Sequence, residues 1–121
     1  PPALPIFEKA AEIQQKMRKV GFDWPNSDGV FEKVQEEIRE VRESLEGGGD
    51  TEEELGDLLF SVINLTRFLG YNPSYALRRT NEKVQARFNR VVVQARKEGL
   101  ELRTANLDQM EALWQRAKDE A

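Results

Sequence analysis

Four carboxylates in the first half of the chain have a spacing that could bind a metal ion. Glu37 and Glu40 are three residues apart in one predicted helix. Glu54 and Asp57 repeat this spacing in the next helix, after a turn of three glycines at residues 47–49. Residues three apart share one face of a helix, and a turn this short makes the two helices antiparallel neighbours. Four negative charges gathered in this way repel one another, and a hard divalent cation with oxygen ligands would relieve the repulsion.

Asp57 is the least expected of the four carboxylates, because its surroundings in the sequence are apolar. It follows Gly56 and precedes Leu58 and Leu59. A carboxylate in such a helix is costly to ionise unless it is paired or bound to a metal ion. Gly56 weakens a helix, which indicates a close approach by another backbone or by a ligand at this point.

Each acidic pair also has a simpler interpretation. Two glutamates three residues apart on a helix are common and usually form a solvated face. Glu54 fits the second half of a capping box that begins at Thr51, and Glu52 and Glu53 would complement the helix dipole. Two such pairs on adjacent helices, one of them inside an apolar run, favour a metal site over these alternatives.

Positive charge on the fourth predicted helix would suit phosphate chemistry at such a site. A carboxylate-bound Mg²⁺ can neutralise phosphate charge, and a phosphate site usually has cationic side chains as well. Lys83 and Arg87 could supply them, since they lie on one helix face, four residues apart. Arginine can bind a phosphate through two parallel hydrogen bonds, and lysine acts as a point charge. Trp24 and Trp114 could stack on a nucleobase. The alternative is that the cations serve solubility and that both tryptophans belong to the core.

Five predicted helices position these residues, and no segment alternates like a strand, which predicts an all-α bundle of four to five helices. Their bounds are about 5–20, 29–46, 51–69, 73–98 and a short helix from Asn106. Asn72 and Asn106 are predicted N-caps, and either Asp50 or Thr51 caps the third helix. The third helix is apolar on nearly all sides, so we expect it to be the most buried element. The predicted apolar stripe of the first helix comprises Ile6, Ala10, Ile13 and Met17.

Composition restricts the chemistry available to this chain of 121 residues, the length of one domain. The absence of cysteine and histidine excludes disulfides, zinc sites of the Cys/His kind and Ser-His or Cys-His catalysis. A net charge of −4 with both signs mixed predicts no binding to nucleic acid. No apolar stretch is long enough for a membrane span and no signal-peptide pattern is present, so we expect a cytoplasmic protein. Residues 1–5 resemble a linker, which predicts a domain over residues 6–121 and a chain that is a piece of a longer protein.

Several further segments resemble the MazG family of all-α nucleoside triphosphate pyrophosphohydrolases. They are residues 20–25 (VGFDWP), 33–38 (KVQEEI), 53–60 (EELGDLLF), 76–77 (AL), 81–83 (NEK), 87–88 (RF) and the ending with Leu107, Met110, Glu111 and Trp114. The resemblance covers about residues 7–118 and is greatest to the C-terminal of the two domains in long MazG proteins. Asp50 is a departure, because some relatives carry a basic residue just before the second acidic motif, after a longer turn. Phosphate binding or base preference is expected to differ for that reason.

The resemblance implies a helical bundle that forms a homodimer, or a dimer of dimers, with active sites where subunits meet. It implies a Mg²⁺ cofactor, with Mn²⁺ as the alternative, and metal ligands at Glu37, Glu40, Glu54 and Asp57. The implied substrate contacts are Lys33, Glu36, Glu53, Lys83, Arg87 and Trp114. Of these, Glu53 or Glu36 is predicted to orient or deprotonate the attacking water.

The predicted function is Mg²⁺-dependent hydrolysis of a nucleoside triphosphate to a nucleoside monophosphate and pyrophosphate, in the family's role of removing non-standard nucleotides. One alternative is a related enzyme selective for dUTP, dCTP or phosphoribosyl-ATP. Another is a non-catalytic helical module for dimerisation or regulation, whose acidic residues only solvate a surface. The expected partners are a nucleotide substrate and a second copy of the chain, with neither nucleic acid nor membrane.

Overall fold

A computed structural model describes residues 5–120, and these residues form five α-helices. The helices are α1 (Ile6–Lys19), α2 (Ser27–Glu46), α3 (Thr51–Phe68), α4 (Pro73–Lys97) and α5 (Leu107–Asp119). No strand occurs within this range, so the all-α prediction is confirmed. Residues 1–4 of the linker-like segment lie outside the described residues, and the domain boundary after residue 5 stays a prediction. From residue 5 to residue 120, no helix combines the length and the apolar character needed to cross a membrane.

The capping box predicted between Thr51 and Glu54 is wrong. Asp50 is the N-cap of α3, and its carboxylate accepts a hydrogen bond from the backbone N–H of Glu53 at 3.2 Å. Aspartate is at least as good a cap as threonine, so the helix begins one residue earlier than the capping box requires. Thr51 instead places its hydroxyl 3.0 Å from the Ser44 hydroxyl, which links the end of α2 to the start of α3. The carboxylate of Glu54 is therefore not used at the helix terminus.

The chain divides into two compact units, one ending at Ala76 and the other beginning at Leu77. In the first unit α2 packs along α3, and α1 packs against α3. The turn between α2 and α3 requires glycine, because Gly48 has a φ of 80° and a Cβ on Gly49 would lie 2.9 Å from the side chain of Ser44. The second unit has a core of its own, formed by Val91, Ala95, Leu113 and Ala117.

The prediction that α3 is the most buried element agrees with the share of its residues that are buried or half-buried, which is larger than in the other four helices, but part of its apolar surface is open. Ile63 is buried, but Leu55 and Leu59 are 44% and 56% exposed. Within the described part of the first unit, α1 and α2 cover only part of a helix that is apolar on nearly all sides. Exposed apolar side chains also recur every seven residues along α2. We call these two sets the apolar stripes, which are Phe31, Ile38 and Leu45 on α2 and Leu55, Leu59 and Val62 on α3.

Candidate active site

Three of the four predicted metal ligands meet between α2 and α3. Glu37, Glu54 and Asp57 each offer one carboxylate oxygen, and these oxygens lie within 4.8 Å of one another. Two oxygens on opposite sides of a Mg²⁺ or Ca²⁺ ion are about 4–5 Å apart. The three side chains, which we call the acidic cluster, therefore have a separation that lets them share one divalent ion.

The acidic cluster is shielded from water on one side and open on the other. Glu37 projects from the middle of α2 and is buried, Glu54 is half-buried, and Asp57 is exposed. Their positions follow from the sequence, since Glu54 and Asp57 are one turn apart on the same face of α3. An ion could reach this cluster from the exposed side together with a phosphate group.

Gly56 lies beside Asp57 in an exposed part of α3. A Cβ added to Gly56 would find no heavy atom within 4 Å. The predicted close approach of another backbone is therefore not seen among the residues that the structure describes. The space next to Asp57 is open, and the predicted approach of a ligand there stays a prediction.

Burial and the repulsion between neighbouring carboxylates both raise the pKa of Glu54. Partial burial is the largest cause that raises the pKa above its ordinary value. Neighbouring negative charges raise it further, and these belong to Glu40, Asp57, Glu37 and Glu53. Glu40 is not part of the acidic cluster, but it is half-buried, and its charge raises the pKa of Glu54 more than the other three charges do. A divalent cation would stabilise the ionised form of Glu54, and an all-carboxylate donor set suits a hard ion such as Mg²⁺.

Lys33 supplies positive charge beside the acidic cluster. Its Nζ lies 3.0 Å from the carboxylate of Glu37 and 3.5 Å from that of Glu36. The hydrogen bond to Glu37 is the largest cause that raises the pKa of Lys33, which keeps the ammonium group charged. Of the two predicted catalytic residues, Glu36 is exposed and paired with Lys33, and Glu53 is exposed in the first turn of α3. The predicted contact residues of the first unit thus lie on the same two helices as the acidic cluster, and Lys33 contacts one of its members.

The second unit brings together two other predicted contact residues. The guanidinium carbon of Arg87 on α4 lies 6.0 Å from the ring centre of Trp114 on α5, at the limit of a cation–π contact. The Nε of Arg87 is buried without a hydrogen-bond partner in the part of the chain that the structure describes. Lys83, one turn earlier on α4, is exposed. Arg87 therefore has a fixed aromatic neighbour and an N–H that no described group accepts.

Sequence reasoning missed a buried glutamine in α1. Gln14 is 3% exposed, whereas Ile13, which was predicted to belong to the apolar stripe, is 39% exposed. Gln14 lines a cavity of about 280 Å³ together with Trp24 and Phe60. The signal that could have found it is a polar side chain three residues before Met17, on the same helix face as the apolar stripe.

Comparison with known proteins agrees with the resemblance read from the motifs. Residues 27–92 match the MazG nucleotide pyrophosphohydrolase domain. This range contains the acidic cluster together with Glu40, Lys83 and Arg87, whereas Gln14 and Trp114 lie outside it.

Similarity to individual relatives extends over nearly the whole chain. The chain is 39% identical over 117 residues to the nucleoside triphosphate pyrophosphohydrolase/pyrophosphatase MazG of Thermotoga maritima. It is 41% identical over 124 residues to a nucleoside triphosphate pyrophosphohydrolase of Escherichia coli. These alignments cover 97% and 98% of this chain but 46% of each relative, so the chain spans about half the length of either. A shorter match, 41% identical over 66 residues, covers 54% of this chain and 14% of the uncharacterized protein YabN of Bacillus subtilis.

Proposed function

The chain belongs to the MazG nucleotide pyrophosphohydrolase family, and on that premise we propose that it hydrolyses nucleoside triphosphates to a nucleoside monophosphate and pyrophosphate. The observation that carries the proposal is the acidic cluster, in which three carboxylate oxygens lie within 4.8 Å of one another. Such a cluster gathers oxygen ligands of the kind that a hard divalent cation takes, and phosphate hydrolysis is a reaction that carboxylate-held cations serve.

The acidic cluster and Glu40 hold Mg²⁺ in this proposal, with Mn²⁺ as the alternative. When bound, the ion supplies positive charge against the phosphate oxygens of the substrate. Lys83 and Arg87 donate to the triphosphate, and Arg87 is kept in place by Trp114. Lys33 pairs with Glu37 and so orients one of the metal ligands, and its charge contributes to substrate binding.

Water is the nucleophile in the proposed reaction. The anhydride bond between the α- and β-phosphates breaks, pyrophosphate leaves, and a proton of the water passes to Glu53 or Glu36. Both carboxylates are exposed on the helices that carry the acidic cluster, so both are accessible to a water at the substrate. The reaction is assigned to the cytoplasm, where it would remove non-standard nucleotides.

Product analysis tests this function directly. Incubation with each common nucleotide and Mg²⁺ is expected to release nucleoside monophosphate and pyrophosphate in equal amounts, without diphosphate or free phosphate. Chromatography of the nucleotides and an assay of pyrophosphate would measure both products. A panel that adds dUTP, dCTP and phosphoribosyl-ATP distinguishes a broad enzyme from one selective for a single nucleotide. Formation of nucleoside diphosphate and phosphate would contradict the proposal.

A second copy of the chain is the proposed partner of the apolar stripes. Leu59, at 56% exposed, lies at the centre of the α3 stripe, and family resemblance implies a two-fold dimer. In a symmetric dimer each stripe residue is buried twice, and burial of the exposed part of Leu59 contributes roughly 1 kcal/mol or more each time, to which an aspartate would add the cost of burying a charge. Leu59→Asp is therefore expected to raise the dimer dissociation constant by about 100-fold, as measured by analytical ultracentrifugation.

The matched control for this prediction is Leu107→Asp, since Leu107 is 68% exposed but lies in the other unit, at the start of α5. This control is expected to leave the dissociation constant within a few-fold of the original. If the wild type is a dimer of dimers, Leu59→Asp should break only the contact that the apolar stripes form and leave the other dimer contact intact. A wild-type chain that sediments as a monomer at every concentration would contradict the assignment of the stripes.

A further inference from the structure

A pair of hydroxyl groups joins α2 to α3 next to the glycine turn. The hydroxyl oxygens of Ser44 and Thr51 lie 3.0 Å apart, and both residues are half-buried. The Ser44 hydroxyl also donates to the backbone carbonyl of Val41 at 2.6 Å. Because a serine hydroxyl has only one hydrogen, Thr51 is the donor and Ser44 the acceptor between the two helices. The two bonds form a chain from Thr51 through Ser44 to the backbone of α2, and bonds in such a chain strengthen one another.

The glycine turn leaves the register of α2 against α3 to other contacts. A Cβ on Gly47 or Gly48 would find no heavy atom within 4 Å beyond its own neighbours in the chain. Glycine adopts many backbone conformations, so a run of three glycines is compatible with several registers. Gly49 differs, because a Cβ there would lie 2.9 Å from the Cβ of Ser44. The chain therefore closes onto Ser44 at the point where Ser44 bonds to Thr51.

The hydroxyl pair is level with the carboxylates of the same two helices, one turn nearer to the glycine turn. On α2, Ser44 follows Glu40 by four residues, and on α3, Thr51 precedes Glu54 by three. Each of these steps is about one turn of helix. Glu40 and Glu54 are in turn one helical turn from the other two members of the acidic cluster. Because equal steps along antiparallel helices keep residues level, the hydroxyl pair lies one turn beyond Glu40 and Glu54.

The register of α2 against α3 decides whether the acidic cluster forms. One of its oxygens belongs to Glu37 on α2, the other two belong to α3, and all three lie within 4.8 Å of one another. A slip of one turn would move Glu37 by about 5.4 Å relative to its partners, which exceeds that separation. Mg²⁺ requires nearly ideal octahedral geometry with oxygens at about 2.0–2.1 Å, so a smaller slip already weakens binding.

From these observations we propose that Ser44 and Thr51 are positioning residues for the metal site. Their hydrogen bond sets the register of α2 against α3 and so holds Glu37 beside the two ligands on α3. The proposal rests on the proposed function, which assigns a divalent ion to the acidic cluster. A folded chain without this hydrogen bond spends part of its time in arrangements that do not bind the ion, and its apparent affinity falls in proportion.

Titration with Mn²⁺ alone, followed by the electron paramagnetic resonance of the free ion, measures this role without a nucleotide. Thr51→Val keeps the shape of the side chain and removes the hydroxyl, so the Kd for Mn²⁺ is expected to rise about three- to tenfold, as the loss of one hydrogen bond implies. The cap of α3 is unaffected, because Asp50 supplies it. Thr51→Ser keeps the hydroxyl, and its Kd should lie within about twofold of the wild-type value.

Thr66→Val is the matched control, because it makes the same substitution in the same helix. The Thr66 hydroxyl donates to the backbone carbonyl of Val62 at 2.9 Å, a bond that stays within α3. This control is expected to leave the Kd for Mn²⁺ unchanged. If Thr51→Val lowers the melting temperature of the metal-free protein without changing the Kd, the hydroxyl only stabilises the turn, and the positioning role is overturned.

Ser44→Ala tests the same hydrogen bond from its acceptor side. It should raise the Kd for Mn²⁺ at least as much as Thr51→Val does, because it also leaves the Thr51 hydroxyl without its acceptor. In the double variant the Kd should rise no further than in Ser44→Ala, since both substitutions break one bond. Two effects that multiply in the double variant would mean that the hydroxyls act independently, which contradicts the proposal.

Metal binding and hydrolysis test the positioning role and the proposed function separately. If no nucleotide is hydrolysed but the Kd for Mn²⁺ rises in Thr51→Val, the positioning role is supported and only the proposed function is contradicted. An unchanged Kd in an active enzyme overturns the positioning role alone. A wild type that binds no Mn²⁺ also overturns the positioning role, and product analysis then still tests the proposed function.

Discussion

Asp57→Asn is expected to reduce the rate of pyrophosphate release about 1,000-fold while leaving the helices intact. The substitution keeps the size of the side chain and removes the negative charge of one of the three acidic-cluster oxygens. Loss of a group that stabilises charge in a phosphate-transfer site costs about 100- to 1,000-fold, and loss of a metal ligand lies at the upper end of that range. Asp57 is exposed, so the fold itself does not depend on its charge. Single-turnover hydrolysis and circular dichroism would measure the two effects separately.

Asp28→Asn is the control for this loss of activity. Asp28 is an exposed carboxylate in the first turn of α2, outside the acidic cluster, and its substitution is expected to leave turnover within about twofold of the wild type. A rate of Asp57→Asn close to that of the wild type would contradict the assignment of the cluster as the catalytic metal site.

Thermal melting with and without Mg²⁺ distinguishes an enzyme from a non-catalytic module. An ion that binds only the folded chain raises the melting temperature, so Mg²⁺ should stabilise the wild type and have much less effect on Asp57→Asn. If the acidic residues only solvate a surface, Mg²⁺ has no effect on either protein, and Asp57→Leu is tolerated. The two interpretations therefore predict different effects of Mg²⁺ on the melting temperature of the wild type.

Helix positions and the acidic cluster could be predicted because both follow from local spacing. The three-and-four recurrence of apolar residues locates a helix wherever it packs, and one turn between Glu54 and Asp57 fixes their common face. The glycine turn between α2 and α3 then brings Glu37 to them without any long-range information. The exact cap could not be predicted, because Asp50 and Thr51 are both good acceptors and differ by one residue in register.

Burial could not be predicted where it depends on which neighbours cover a helix. The apolar sequence of α3 indicates that its faces prefer apolar contacts, but it does not say whether the same chain supplies them. In the structure Leu59 is 56% exposed, because neither α1 nor α2 covers it fully. In α1, Ile13 and Gln14 are adjacent and differ by about 100° around the helix, so the rotation of the helix about its axis decides which one is buried. The polar residue is buried because its amide donates to the Phe60 carbonyl, a long-range contact that periodicity does not contain.

Arg87→Ala is expected to lower kcat by about 100- to 1,000-fold, the second of the two largest effects. Arg87 packs near Trp114 and its Nε–H is buried, so the guanidinium is positioned, and its terminal NH₂ groups are the donors that the proposal assigns to the triphosphate. A donor that meets the charge developing on the leaving pyrophosphate acts on the transition state, which lowers kcat more than it raises KM. Steady-state kinetics over a range of nucleotide concentrations would separate the two constants.

Arg87→Lys decides whether charge alone explains the role of Arg87. Lysine keeps the positive charge but lacks the planar group that can bind a phosphate through two parallel bonds, so only partial recovery relative to Arg87→Ala is expected. Arg96→Lys is the matched control, because Arg96 is exposed in the last turn of the same helix and is not a predicted contact. Full activity in Arg87→Lys would mean that Arg87 contributes only its positive charge. Full activity in Arg87→Ala would mean that Arg87 has no role in the reaction. A loss in Arg87→Ala that appears only in KM would place its contact in the ground state, where it binds the triphosphate without assisting bond cleavage.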